Sequence, residues 1–141
     1  MIEKHTPVEL RVRYAETDQM GVAYHSHYLV WCEVARTDLM RQLGVTYRIR
    51  EEDGVRLAVV DARVRYRAAA RYDDLLRVHA WVRDSDSRRV VFGYWVERID
   101  DSRCLATAET SLIAIDSKNE VTRIPAPVRK KLVPTSDPVR L

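Results

Sequence analysis

The sequence predicts an α+β domain in which an antiparallel sheet of about five strands curls around one long helix. One helical segment, rich in apolar residues, lies at residues 26–43. One strand-like segment precedes it and four follow, two of which alternate between apolar and polar residues as half-buried strands do. Short polar segments join the later strands, which favours antiparallel hairpins. Because the helix and most strands are segregated along the chain, the fold class is α+β.

The first strand is predicted from Val8 to Tyr14, where apolar residues recur at every second position. The helix then runs from about Ser26, a residue type favoured at the N-cap, to Leu43. Gly44 suits a left-handed cap at its C-terminal end. Apolar residues surround much of this helix, which predicts burial on most sides.

The strands predicted after the helix cover residues 60–68, 76–82, 90–99 and 104–115. A short helical turn and loop over residues 45–54 leads to the first of them, which has the clearest half-buried pattern. Polar residues at 84–89 and 100–102 form the turns between the last three strands. Prolines mark an irregular tail, with at most one helical turn near residues 128–132.

Length and composition indicate a single domain over residues 1–141, with its core over about residues 8–132 and an irregular C-terminal tail. Apolar residues make up 46% and charged residues 32%, which is typical of a soluble globular chain. The net charge of +3 is spread along the chain, so no nucleic-acid partner is predicted.

No secretory signal or membrane span is predicted, because no window approaches the roughly 20 apolar residues of a transmembrane helix. Cys32 and Cys104 have no CxxC spacing, so a reduced, cytoplasmic location is expected. His25 and His27 lack the spacing of zinc ligands, so no metal site is predicted. No glycine-rich phosphate loop is present either.

The segment from Tyr14 to Tyr28 is the strongest functional signal in the chain. It places the carboxylate of Asp18 just before a glycine turn at Gly21 and the start of the helix. Free N–H groups and the positive end of the dipole lie at a helix N-terminus, where they can polarise a carbonyl. A carboxylate at the same point can attack that carbonyl or direct water at it.

This segment is similar to a motif of known thioesterases. The matching residues are Tyr14, Thr17, Asp18, Gly21, Val22, Tyr24, His25 and Tyr28, followed by Glu33-x-Ala35-Arg36-Thr37 and by residues 66–74. On these motifs the chain resembles the hotdog-fold acyl-CoA thioesterases of the 4-hydroxybenzoyl-CoA thioesterase family, and within it the branch associated with the Tol-Pal system. The resemblance covers about residues 8–132 and implies a hotdog fold.

The resemblance implies hydrolysis of an acyl-CoA, or of an acyl carrier protein thioester, in a homodimer or homotetramer with sites shared between subunits. Asp18 would be the catalytic carboxylate. The N–H group at or next to His25 would polarise the carbonyl, and its ring would orient the nucleophile or assist the leaving thiolate. The residues expected to bind substrate are Gly21 and Val22 in the turn, Tyr24 and Tyr28 at the acyl pocket, and Arg71, Arg88 and Arg89 at the CoA phosphates. CoA is then part of the substrate, and no cofactor is expected.

The residues leave a structural interpretation open for each candidate. Asp18 can stabilise the bend after it as an Asx turn. His25 can act through its backbone rather than its ring. Tyr24 and Tyr28 can be ordinary core residues, and the basic candidates can be solvated.

Five nearby residues have structural roles in this interpretation. Glu16 is expected to be solvent-exposed, and Trp31 to be a packing residue. Cys32 falls on the apolar face of the helix and is expected to be inert. Glu33 and Arg36 are three residues apart on the helix and are expected to pair.

The leading hypothesis is therefore an acyl-CoA thioesterase in which Asp18 acts as nucleophile or as general base. The first alternative is a non-catalytic hotdog module that binds acyl carrier protein or another protein partner. A hotdog dehydratase or hydratase is the weakest alternative, because the sequence lacks the His-plus-acid arrangement that such enzymes need.

Overall fold

The helix and the five strands occur in the predicted order, and every strand pair is antiparallel. The computed structural model describes residues 6–45 and 54–141. Its elements are β1 (Val8–Arg11), a 3₁₀ turn (Tyr14–Glu16), α1 (His27–Leu43), β2 (Arg56–Tyr66), β3 (Leu75–Ser85), β4 (Arg89–Arg98), β5 (Arg103–Ile115) and α2 (Ala126–Arg129). The strand order in the sheet is β1-β3-β4-β5-β2, so β1 and β2 are its edges.

Helix α1 packs on one face of the sheet, mainly against β3, and the core lies between them. On this face β3 contributes Leu76 and Val78, and β4 contributes Phe92 and Tyr94, all fully buried. These residues are two apart along their strands, which is the period that directs side chains to one face. The predicted α+β arrangement is confirmed.

Helix α1 ends where the sequence predicts. Gly44 has φ 74°, a left-handed conformation that glycine adopts without a Cβ penalty, and its N–H donates to the carbonyl oxygens of Arg41 and Met40. Ser26 occupies the N-cap position, as predicted, but its side chain makes no capping hydrogen bond.

One side of α1 is exposed in the single chain, so the expectation of burial on most sides is wrong for this chain alone. Trp31, Cys32 and Ala35 are buried, whereas Val30 and Val34 are 47% and 45% exposed. The sheet covers one face of the helix, which leaves these two valines in contact with solvent.

Strand β1 is shorter than predicted. It ends at Arg11 rather than at Tyr14, where the 3₁₀ turn begins. Within this turn the Glu16 carboxylate accepts the Arg13 N–H at 2.7 Å. The Val12 N–H still donates to the Asp74 carbonyl oxygen at 3.0 Å, just before the chain enters this turn. The alternation of apolar residues could not reveal the side-chain hydrogen bond of the turn.

Strand β2 is longer and more exposed than predicted. It begins at Arg56 rather than at residue 60, and a bulge at Val60 interrupts its pairing with β5. A bulge breaks the alternation of faces. As an edge strand with one neighbour, β2 is mostly exposed rather than half-buried.

Strands β3, β4 and β5 match their predicted bounds to within three residues at each end. In the turn between β3 and β4, the Asp86 carboxylate accepts the N–H groups of Arg88 and Arg89, which lowers the pKa of Asp86. Helix α2 begins at Ala126, two residues before the predicted turn. The turn and loop predicted over 45–54 fall largely on residues 46–53, which lie outside the described residues. Among the described helices, none has the length and apolar character needed to cross a membrane.

Candidate active site

The segment between β1 and α1 forms a closed loop that presents Asp18. Thr17 and Ala23 pair as an antiparallel bridge, and the Asp18 N–H donates to the Val22 carbonyl oxygen at 2.9 Å. At the tip, the Gly21 N–H donates to the Asp18 carbonyl oxygen at 3.0 Å. Gly21 has φ 78°, which explains the glycine at this position, because a Cβ makes that conformation costly.

One oxygen of the Asp18 carboxylate is engaged in this loop. Oδ1 accepts the Met20 N–H at 2.8 Å, so the Asx turn is present. Oδ2 has no hydrogen-bond partner within residues 6–45 and 54–141. The half-buried side chain lies at an open cleft of about 560 Å³, which is lined by Tyr14, Thr17, Asp18, Gln19, Gly21 and Tyr72. A turn role therefore leaves one carboxylate oxygen available for chemistry.

The start of α1 has backbone N–H groups that are unpaired within residues 6–45 and 54–141. The His27 N–H donates to the Tyr24 carbonyl oxygen at 3.0 Å, but the N–H groups of His25 and Ser26 have no acceptor in the described part of the chain. The Tyr66 hydroxyl donates to the His25 carbonyl oxygen at 2.8 Å, so β2 holds the helix start in place. Such free N–H groups can bind an anionic or polarised oxygen.

The aromatic candidates lie in different environments. Tyr24 is 46% exposed, and its ring centroid is 4.2 Å from that of the exposed His25. Tyr28 is buried, and its hydroxyl accepts the Ala70 N–H at 3.0 Å. Burial raises the pKa of Tyr28, so the hydroxyl stays neutral. In the single chain, Tyr28 is a core residue, whereas Tyr24 and His25 are accessible beside the helix start.

The three candidate arginines lie in two separate places. Arg71 adjoins the loop, because it forms an antiparallel bridge with Val22. Arg88 and Arg89 lie at the hairpin between β3 and β4. The loop adjoins the beginning of β3, whereas the hairpin follows its end, roughly 30 Å away along a strand of 11 residues. One chain therefore brings Arg71, but not Arg88 and Arg89, to the Asp18 loop.

Glu16 is buried, so the expectation of a solvent-exposed residue is wrong. Its exposed fraction is 4%, and its carboxylate accepts the indole N–H of Trp31 at 2.8 Å. Trp31 is thus a hydrogen-bond donor as well as a packing residue. The sequence carried one signal of this contact: a tryptophan on the apolar face of a helix brings an indole N–H that needs an acceptor.

Other predictions about side-chain chemistry have mixed outcomes. Cys32 is buried, and desolvation raises the pKa of its thiol to about 12, so the expected inert character is supported. The predicted pair of Glu33 and Arg36 is wrong: Arg36 instead donates to the Tyr94 hydroxyl at 3.2 Å, while Glu33 is exposed. Within residues 6–45 and 54–141, no three His, Cys, Asp or Glu side chains are grouped to hold a metal ion.

The sequence profile of the Thioesterase-like superfamily matches residues 12–132. The chain belongs to this superfamily. Its five-stranded antiparallel sheet and the long helix α1 form the hotdog fold that the sequence motifs predicted.

Three relatives have substantial identity to the chain. YneP of Bacillus subtilis (strain 168), whose name is "Putative acyl-CoA thioesterase YneP", is 46% identical over 88 residues, or 62% of this chain and 64% of YneP. The hypothetical protein TT1821 from Thermus thermophilus superposes with a TM-score of 0.83 at 35% identity, covering 91% of this chain and 97% of TT1821. The DHNA-CoA thioesterase from Staphylococcus aureus has a TM-score of 0.78 at 34% identity, covering 84% and 79%. The chain thus spans just under two thirds of YneP.

Proposed function

We propose that this member of the Thioesterase-like superfamily hydrolyses the thioester of an acyl-CoA, with Asp18 as its catalytic carboxylate. The observation that carries the proposal is a half-buried Asp18 whose Oδ2 is unpaired in the described residues, followed by a helix start with unpaired N–H groups. A thioester needs little more, because the thiolate leaves readily. The names of YneP and of the Staphylococcus aureus relative support a CoA thioester.

In this mechanism the thioester oxygen accepts an N–H from His25 or Ser26, which stabilises the negative charge that develops on it. By one route Asp18 attacks the carbonyl carbon, the C–S bond breaks, and water then hydrolyses the mixed anhydride. By the other route Asp18 takes a proton from water as the water attacks. In both routes the thiolate leaves and takes up a proton, which the exposed His25 ring can supply.

We also propose a homodimer or homotetramer in which the sites are shared. On β2, Val59 and Val60 are 49% and 54% exposed, and an exposed edge strand presents free backbone groups for pairing. Two copies paired through β2 would cover these residues. A second subunit could also supply Arg88 and Arg89 to the CoA phosphates, since one chain places them far from its own Asp18 loop.

The proposal also includes the family branch, the thiol carrier and the cellular location. We place the chain in the Tol-Pal-associated branch of the 4-hydroxybenzoyl-CoA thioesterase family, on the basis of the Tyr24-His25 pair. The thiol carrier is CoA, with acyl carrier protein as the other carrier that the chemistry permits. The proposed setting is the cytoplasm.

A specific observation favours a second candidate function. The Asx turn already uses one oxygen of Asp18, and a turn residue needs no reaction to explain it. Val30 and Val34 add an exposed apolar strip on α1. A non-catalytic module would use such a surface to bind acyl carrier protein or another protein partner.

The test is release of free thiol from short, long and aromatic acyl-CoAs and from an acyl carrier protein thioester, with calorimetric binding of the same compounds. Turnover of any acyl-CoA supports the thioesterase proposal and reveals the acyl class. Turnover of the carrier protein alone reassigns the carrier. Binding of the carrier protein without turnover of any compound supports the non-catalytic module.

A further inference from the structure

Glu16 is a buried carboxylate for which the proposed reaction has no direct use. It ends the 3₁₀ turn, two residues before Asp18, and is 4% exposed. Its Oε1 accepts the Arg13 backbone N–H at 2.7 Å, and its Oε2 accepts the Trp31 indole N–H at 2.8 Å. Among the described residues the nearest cationic atom, Nε of the largely exposed Arg13, is 3.6 Å away.

The burial of this carboxylate needs an explanation. Desolvation raises the pKa of Glu16, but the hydrogen bonds from Arg13 and Trp31 outweigh it and hold the pKa below its ordinary value. The group is therefore ionised at neutral pH. A well-packed apolar side chain of similar size often stabilises a fold as much as a buried charge does, or more. Stability alone therefore does not explain a buried carboxylate at this position.

Glu16 joins the Asp18 loop to helix α1, the two parts of the proposed active site. Its backbone carbonyl oxygen accepts the Tyr24 N–H at 2.8 Å, so the residue before the Asp18 loop is fixed to the residue after it. Its side chain fixes the same residue to Trp31, which is buried in α1 and packs on Tyr28 at 4.8 Å between ring centroids. Glu16 thus connects the Asp18 loop to α1, whose first N–H groups have no acceptor in the described residues.

We propose that Glu16 is a positioning residue, which through Trp31 sets the place of Asp18 relative to the first N–H groups of α1. This inference rests on the proposed thioesterase function. The carboxylate must act at the carbonyl carbon while the N–H groups bind the oxygen of the same carbonyl. A displacement of about 1 Å in such a site can reduce the rate 100-fold. Glu16 itself does not touch the substrate.

The test compares Glu16→Gln and Trp31→Phe with the wild type, at a temperature at which each variant is folded. The amide of Gln has one oxygen acceptor in place of two, so either Arg13 or Trp31 loses its partner. Both variants are expected to lower kcat 10- to 100-fold with KM changed less than threefold. The kcat of the double variant is expected to be no lower than that of the less active single variant, because Glu16 and Trp31 act through one hydrogen bond.

A matched control is available on the other face of the sheet. The Trp81 indole N–H donates to the Asp137 carboxylate at 2.9 Å, a bond of the same chemistry away from the Asp18 loop. Trp81→Phe is expected to lower the melting temperature and leave kcat unchanged. In Glu16→Gln, faster amide exchange at Asp18 and Gly21 than in the wild type would report a looser loop without any substrate.

The outcomes separate this inference from the proposed function. If Asp18→Asn keeps full turnover, the role of Asp18 fails and the inference falls with it. If Asp18→Asn is inactive while folded Glu16→Gln or Trp31→Phe keeps wild-type kcat, only the positioning role is overturned. Independent, additive losses in the double variant would also overturn it. Adding Glu16→Gln to Asp18→Asn is expected to remove no further activity.

Discussion

The Tyr28 hydroxyl is the only acceptor that the described residues provide for the Ala70 N–H, which makes Tyr28→Phe an informative change. Ala70 is fully buried, and its carbonyl oxygen accepts the Ala23 N–H of the Asp18 loop. The variant keeps the ring and leaves a buried donor unpaired, which costs about 1–3 kcal/mol in the free energy of unfolding. For a domain of this size, that corresponds to roughly 3–5 °C in melting temperature for each kcal/mol.

Urea unfolding followed by circular dichroism measures this change. The control is Tyr24→Phe, because the Tyr24 side chain is exposed and its hydroxyl has no partner in the described residues, so its free energy of unfolding should change by less than about 0.5 kcal/mol. Equal, negligible effects in both variants would refute the reasoning. A raised KM in Tyr28→Phe without a loss of stability would instead place Tyr28 at the acyl pocket.

Three more predictions concern packing, thiol reactivity and pH. Gly93→Ala should destabilise the fold by about 1–3 kcal/mol in urea unfolding, because its Cβ would lie 2.6 Å from the buried Trp81 ring; an unchanged midpoint would contradict this packing. Native protein should react with a thiol reagent at Cys104 only, and Cys32 should react only after unfolding. Burial raises the pKa of Glu16, but its hydrogen bonds lower it below 4.5 overall, so its stabilisation is present above pH 4.5 and is lost as the pH falls through the lowered pKa. Glu16→Gln should flatten this acid limb of the stability curve.

The sequence predicted the interior of the fold better than its edges. Strands β3, β4 and β5 were located from alternation and polar turns, because each faces the helix on one side. At the two edge strands, a turn and a bulge shift the bounds and the faces from those predicted. A 3₁₀ turn, in which the Glu16 carboxylate accepts the Arg13 N–H, follows β1 earlier than predicted, and the bulge at Val60 shifts the faces of β2. Neither the turn nor the bulge can be recognised from the alternation of apolar and polar residues.

The site was predictable where neighbours in the chain determine it. The loop around Asp18 and Gly21 follows from a turn placed directly before a helix, and so does the His25 N–H, which has no acceptor among the described residues. The hydrogen bond of Glu16 to Trp31 joins residues fifteen positions apart, and the separation of Arg88 from the loop depends on the length of β3. Such contacts require the three-dimensional arrangement.

The most direct test of the proposed mechanism is kcat for Asp18→Asn, measured by thiol release from the acyl-CoA that the wild type hydrolyses fastest. The matched control is Asp116→Asn, because Asp116 also accepts backbone N–H groups within a turn, at the end of β5. The proposal predicts that Asp18→Asn stays folded and loses at least about 100-fold in kcat, while Asp116→Asn keeps wild-type turnover. Wild-type kcat in Asp18→Asn would contradict it.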